Sequence, residues 1–202
     1  TRLMSKNIVL CGVGGQGTVL ASKLISAAAL EKGIPVMSAE TIGMAQRGGS
    51  VFSHLRMGND AYCPMIAKGS ADMIIAFEPG EALRMLPYLK KDGQVVVSSH
   101  PVIPVTASLG AKYDYELAIS TLRSKVSKLL IIDGNMACND IGSHKVLNLI
   151  MLGASIYSGA LGFTEDDFRW QIQKRISPKF HELNFKALEY VRLNPQVIIE
   201  NK

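Results

Sequence analysis

Apolar and polar positions along this 202-residue chain follow two alternating periods. Ile8, Val9 and Leu10 form a short apolar run, as in a strand buried on both faces. Four glycines follow within six residues: Gly12, Gly14, Gly15 and Gly17. Residues 18–32 then carry a helical pattern rich in good helix formers, and Gly33 marks its expected stop. Residues 34–38 predict a second strand that completes a β-α-β unit. Residues 40–50 show no clean period and read as a structured loop. Residues 51–57 alternate, with Val51, Ser53, Leu55 and Met57 on one face and Phe52, His54 and Arg56 on the other. The turn signal Gly58-Asn-Asp60 then suggests that Tyr62 and Cys63 pair back as a hairpin.

Further strands are expected over residues 71–77, 93–98 and 129–133. Helices are expected over residues 81–89, introduced by Pro79, and over 114–125. Residues 100–110, with Pro101 and Pro104, read as a loop off the sheet. From Ser143 the pattern is helical, with segments at 165–175 and 179–192, the last introduced by Ser177 as N-cap and Pro178. Gly153, Ala154, Gly159 and Ala160 let the helix after Ser143 pack closely. The alternation of strands and helices predicts one domain over residues 1–202. Its class is α/β: a three-layer, Rossmann-like domain with a mostly parallel sheet and a helical C-terminal region from about residue 143.

Composition narrows the class. Hydrophobic residues make up 48% and charged residues 19%, enough apolar material for a substantial core. The longest apolar stretch, residues 146–161, is short and is broken by Asn148, Ser155 and Ser158, so no membrane span is expected. The strand pattern starts within the first ten residues, which leaves no room for a secretory leader, and the expected location is the cytoplasm. The net charge is +5, and residues 84–128 hold seven Lys and Arg against three Asp and Glu. That excess is small and dispersed, so no nucleic-acid footprint is expected. It suits a phosphate-bearing cofactor, an acidic partner or a plain solvated surface equally. Cys11, Cys63 and Cys138 are far apart and form no C-x-x-C, so neither a metal centre nor an iron–sulfur cluster is expected on this chain alone.

The glycine segment, Gly12-Val-Gly-Gly-Gln-Gly17, has two readings. It is a phosphate cradle at a helix N-terminus, or it is a tight turn where a strand feeds a helix. Dinucleotide binding asks for an acidic residue at the end of the second strand, and Glu40 lies near that place but runs into a loop of different character. A second segment, Met44-Ala-Gln-Arg-Gly-Gly-Ser50, sets Arg47 beside two glycines. That combination can offer a guanidinium and free N–H groups to one anion, while Arg47 can equally tie the loop to Glu40. In a parallel topology both segments sit at carboxyl ends of strands, where open α/β sheets bind ligands. The candidate binding residues are therefore Gly12, Gly14, Gly15, Gln16, Gly17, Gln46, Arg47, Gly48 and Gly49. His54 reads as a packed or surface histidine, His100 stands alone, Asp133 is a capping candidate and Cys11 a small buried hydrophobe. No catalytic set can be assembled, and no catalytic or metal-ligating residue is assigned.

The glycine segment and Glu40-Thr-Ile-Gly-Met-Ala-Gln-Arg-Gly-Gly-Ser-Val-Phe-Ser-His-Leu-Arg56, with Ala76-Phe-Glu-Pro79, Glu81-Ala-Leu-Arg84, Pro101-Val-Ile-Pro104, Asn148, Leu152-Gly-Ala154 and Pro178-Lys-Phe180, make the chain resemble the gamma-type subunits of 2-oxoacid:ferredoxin oxidoreductases, most of all the beta subunits of the indolepyruvate enzymes. The resemblance spans nearly the whole chain, and the Met-Ala-Gln-Arg-Gly-Gly run is its most specific part. It implies a small subunit of an oxidoreductase, inactive alone, that supports oxidative decarboxylation of a 2-oxoacid to an acyl-CoA. It implies thiamine diphosphate and iron–sulfur clusters on a large partner subunit, ferredoxin as the electron acceptor of the complex, and coenzyme A as a ligand shared with that partner. The alternatives open at this point are an NAD(P)- or FAD-binding module and a purely structural subunit.

Overall fold

The first apolar run becomes β1 (Lys6–Val13), buried from Ile8 onward. The computed structural model describes residues 5–41, 48–103 and 113–202. The glycine segment leads into α1 (Thr18–Glu31) and then β2 (Val36–Glu40). There follow β3 (Ser50–Met57), β4 (Ala71–Ala76), α2 (Pro79–Met85), β5 (Leu89–Ser98), α3 (Tyr115–Lys125) and β6 (Lys128–Ile132). The C-terminal third holds α4 (Gly134–Ile141), α5 (Leu147–Tyr157), α6 (Glu165–Arg175), α7 (His181–Leu193) and β7 (Ile198–Asn201).

All strands join one sheet in the order β2-β3-β1-β4-β5-β6-β7. The pairs β1/β4, β4/β5 and β5/β6 are parallel, whereas β1/β3, β2/β3 and β6/β7 are antiparallel. The sheet is therefore mixed, with β3 and β7 running against the other five strands. The expected β-α-β unit is opened: β3 lies between β1 and β2, pairing Leu55 with Ile8 on one side and Ser38 on the other. Tyr62 and Cys63 form no hairpin and lie exposed in the loop after β3, because both edges of β3 are already taken.

The strand alternation sorts the core into two layers. Ile8, Leu10, Leu55, Met73, Ile75, Val96 and Leu130 face α1, α4, α5, α6 and α7. Val9, Cys11, Ile74, Val95, Val97 and Leu129 face α2 and α3. Burying one such side chain contributes on the order of 1.5–3 kcal/mol, so these layers dominate the stability. Of the expected small residues, Gly153 does allow close packing, since a Cβ there would collide with the Leu188 carbonyl of α7, whereas Gly159 and Ala160 lie past the end of α5 and a Cβ on Gly159 would meet nothing.

Several boundaries differ from the sequence pattern. The helix expected to Leu89 stops at Met85, passes through a 3-10 turn containing Pro87, and gives way to β5 at Leu89. Proline cannot continue the helical ladder. Helix α4 was not expected; Asp133 caps it by accepting the Met136 N–H at 2.9 Å. Ser177 makes no side-chain cap, and Pro178 opens a 3-10 turn ahead of α7. The chain does not stay helical to its end, because β7 returns to the sheet beside β6. Among the described residues no helix is long and apolar enough to cross a membrane.

Candidate functional site

From β1 the chain crosses through α1 to β2 on one side of the sheet; from β4 it crosses through α2 to β5 on the other. The carboxyl ends of β1 and β4 thus flank the switch point, where open α/β sheets hold ligands. The glycine turn sits there. Gly15 and Gly17 have φ of +103° and +85°, values a Cβ disfavours. Gln16 folds back into the turn: its Oε1 accepts the Val13 N–H at 2.7 Å and its Nε2 donates to the Phe77 carbonyl at 3.0 Å. A Cβ on Gly12 would lie 2.7 Å from that Oε1. Gly12 therefore makes room for the Gln16 amide, and Gln16 ties the turn to the end of β4. Gly14, Gly15 and Gly17 carry the backbone left for other contacts.

The second glycine segment reaches the first. The Gly14 N–H donates to the Gly49 carbonyl at 2.8 Å. Gly48 and Gly49 are half-buried beside it. Gln46 and Arg47 lie outside the described residues. Of the nine candidates, the structure thus brings together the glycine turn and Gly48–Gly49.

The start of α1 is bare. Its N-cap, Gly17, offers no side-chain hydrogen bond, and no acidic residue occupies the first turn. The orphan N–H groups and the helix dipole leave a positive terminus at the half-buried Gly17. Asn148 of α5, which sequence reasoning did not place in the site, lies against it. A Cβ on Gly17 would stand 2.8 Å from the Asn148 Nδ2. Asn148 is 2% exposed. The signal for it was present: a polar amide inside the apolar run Leu147-Asn-Leu-Ile-Met151.

Behind the turn stands a buried acidic pair. Glu78 caps α2, its Oε2 accepting the Glu81 N–H at 2.9 Å. Its other oxygen accepts the Tyr113 hydroxyl, which in turn accepts the Gly80 N–H at 3.2 Å. Glu81 accepts the Ser50 hydroxyl, anchoring the residue that follows Gly49. Burial pushes the Glu78 carboxyl above its ordinary value against the pull of these hydrogen bonds. Burial, and then the neighbouring Glu81 and Glu78, push the Cys11 thiol well up, which disfavours a thiolate nucleophile there.

Glu40 accepts the Ser22 hydroxyl at 3.2 Å. It sits two strands from β1, about 10 Å at ordinary strand spacing, because β3 occupies the neighbouring position. A ribose-binding acid belongs on the strand next to β1, so the geometry departs from the dinucleotide fold at this point. His54 is fully buried between Phe52 and Tyr88, its Nδ1 accepting the Ile66 N–H at 3.0 Å. Burial lowers its pKa, which keeps it neutral and makes it a packing residue. Among the described residues no group of His, Cys, Asp or Glu could hold a metal ion. The cysteines lie apart, on β1, in the loop after β3 and on α4, so this chain does not fit an iron–sulfur cluster.

The same architecture is found in known proteins. The family profile described as "Pyruvate ferredoxin/flavodoxin oxidoreductase" matches residues 7–192. The indolepyruvate oxidoreductase subunit IorB of Archaeoglobus fulgidus is 37% identical over 188 residues, covering 92% of this chain and 93% of that protein. The crystal structure of the pyruvate oxidoreductase subunit PORC of Thermotoga maritima superposes with a TM-score of 0.68 at 21% identity, over 96% of this chain and 97% of that one. A third neighbour, the 2-oxoglutarate:ferredoxin oxidoreductase of Magnetococcus marinus, solved with 2-oxoglutarate, coenzyme A and succinyl-CoA bound, gives 0.66 at 18% identity, over 95% of this chain and 31% of that one. The profile runs from β1 through β6 and takes in the glycine turn and its neighbouring loop, and the chain belongs to the pyruvate ferredoxin/flavodoxin oxidoreductase family.

Proposed function

We propose that this chain is the small subunit of an oxidoreductase that converts a 2-oxoacid, of the indolepyruvate or aryl pyruvate class, to an acyl-CoA, and that its own part is to hold the phosphate end of coenzyme A. The substrate class follows the indolepyruvate relatives. Thiamine diphosphate and iron–sulfur clusters, which supply the decarboxylation and the electron path to ferredoxin, belong in this reading to a large partner subunit. The observation that carries the chain's own role is the Gly14–Gly49 hydrogen bond of 2.8 Å, which joins two glycine segments beside an uncapped helix start. Such a terminus stabilises an anion by roughly 0.3–1 kcal/mol when exposed, and by up to about 2 kcal/mol when partly buried. Anchoring the diphosphate of a long ligand there would leave its thiol end to reach a reacting centre on the partner with less entropy to lose.

The displaced Glu40 favours this reading over NAD(P) or FAD. Calorimetric titration of the chain, alone and joined to its large subunit, distinguishes them. Coenzyme A is expected to bind the assembled protein, and turnover of an aryl pyruvate to require both subunits. Micromolar binding of NAD(P)H or FAD with no binding of coenzyme A would overturn the proposal.

A further inference from the structure

Asn148 is a polar residue in the enclosed part of its helix: α5 is buried from Leu147 to Ser155. Its Oδ1 accepts the Leu149 N–H at 3.0 Å, satisfying one of the orphan donors at the start of α5. Its Nδ2 has no hydrogen-bond partner among the described residues. The residue is 2% exposed, yet this nitrogen is not sealed from solvent: among the described residues the fully enclosed side-chain atoms without a partner are Ser53 Oγ, His54 Nε2 and Gln171 Nε2. The unmatched nitrogen does not face the apolar core at random. It lies against the α-carbon of Gly17, 2.8 Å from where a Cβ would stand, at the one end of α1 that carries no cap. Two unmet sets of donors, the amide of Asn148 and the first N–H groups of α1, therefore meet at one place.

We infer that Asn148 is a ligand-contacting residue, its Nδ2 donating to an oxygen of a phosphoryl group seated on the α1 N-terminus. This rests on the reading that the glycine turn takes an anionic ligand, and adds to it a side chain with a direction. The backbone N–H groups and the dipole attract negative charge from any source. A single amide NH2 held by α5 selects where an acceptor oxygen must sit. The shared chemistry is a diphosphate, which coenzyme A and the dinucleotides both carry. Gly17 has to be glycine for the same reason: any side chain there would displace the Asn148 amide.

Two substitutions test the donor. Asn148→Asp keeps the volume and the oxygen that accepts from Leu149 but replaces the NH2 with an oxygen. Asn148→Ala removes both. Titrations of inorganic pyrophosphate, coenzyme A, NADH and FAD are made into the wild-type chain and each variant, alone and assembled with the large subunit, and ligand-free melting is recorded for each. Wild type is expected to bind pyrophosphate and coenzyme A. Asn148→Ala should weaken both by about tenfold to a hundredfold, the range for a hydrogen bond to a charged group. Asn148→Asp should weaken them further while melting no lower than wild type, because its carboxylate sits at two helix N-termini. Preferential loss of coenzyme A or of a dinucleotide identifies the source of the diphosphate. Variants that bind as tightly as wild type, whether or not they melt lower, overturn the role of Asn148 alone. A wild type that binds none of the four ligands in either preparation overturns it together with the reading beneath it.

Discussion

Helices α1 and α2 start side by side, at the carboxyl ends of the neighbouring strands β1 and β4, and they are finished in opposite ways. Helix α2 is closed by its own residues: Glu78 caps it, Pro79 opens it, and Glu81 lies in its first turn. Helices α3, α4 and α6 are likewise capped by Asp114, Asp133 and Thr164. Helix α1 starts on Gly17, with no cap and no acid. Helices α5 and α7 also lack a side-chain cap, but each follows directly on a 3-10 turn, so among the described helices α1 differs in starting bare at a left-handed glycine; in the proposed reading that start is left for another molecule. The difference teaches how the proposed site would be made: missing side chains, with backbone donors and the Asn148 amide in their place.

The strongest way to break this contrast is to make α1 resemble α2. Val19 lies half-buried in the first turn of α1. Val19→Asp should lower coenzyme A affinity at least about a hundredfold through like-charge repulsion, while favourable interaction with the helix dipole keeps stability near that of wild type. Titration and melting on the same preparation check both. Gly17→Ala attacks the contrast through geometry. A left-handed backbone at a Cβ-bearing residue and a displaced Asn148 amide should together cost about 2–3 kcal/mol, or a fall in Tm of about 4–12 °C for a chain of this size. Glu78→Ala tests the closed helix. Loss of the cap should cost about 1–2 kcal/mol in urea unfolding, with coenzyme A affinity within about threefold of wild type if this carboxyl serves structure alone.

The smallest effect is a pH dependence. Burial raises the Glu78 carboxyl above the ordinary range of a glutamate, so the folded protein retains a proton that the unfolded chain releases. The resulting stabilisation is complete below the unfolded pKa and is lost as pH rises through the folded value. Glu78→Gln carries no such proton. The Tm of wild type minus that of Glu78→Gln should fall between pH 4 and pH 7, by no more than a few degrees. A difference that grows with pH would mean that the Tyr113 and Glu81 hydrogen bonds favour the charged carboxylate over its burial.

Much of the local structure was legible because local rules govern it. The apolar run of β1, the glycine turn, the helix of α1 and the cap at Asp133 each follow from a few consecutive residues. Pairing was not legible. Nothing in residues 51–57 announces that β3 inserts antiparallel between β1 and β2, since periodicity sets which face of a strand is buried and not which strand lies beside it. The short β7, half-exposed at a sheet edge, carries too little pattern to stand out from the helices before it. Within the site, the glycines were found by their spacing. Their division of labour was not: Gly12 makes room, Gln16 braces and Gly14 bonds to Gly49, and these roles depend on Phe77 and Gly49, contributed from elsewhere in the sequence. Asn148 was visible only as an interruption in an apolar run.

The most direct measurement is a crystal structure of the assembled protein with coenzyme A. The account predicts diphosphate oxygens about 2.7–3.2 Å from the backbone N–H groups at the start of α1. A diphosphate seated instead in the basic cleft between α2 and α3, beside Lys91 and Lys125, with nothing bound at the glycine turn, would contradict it.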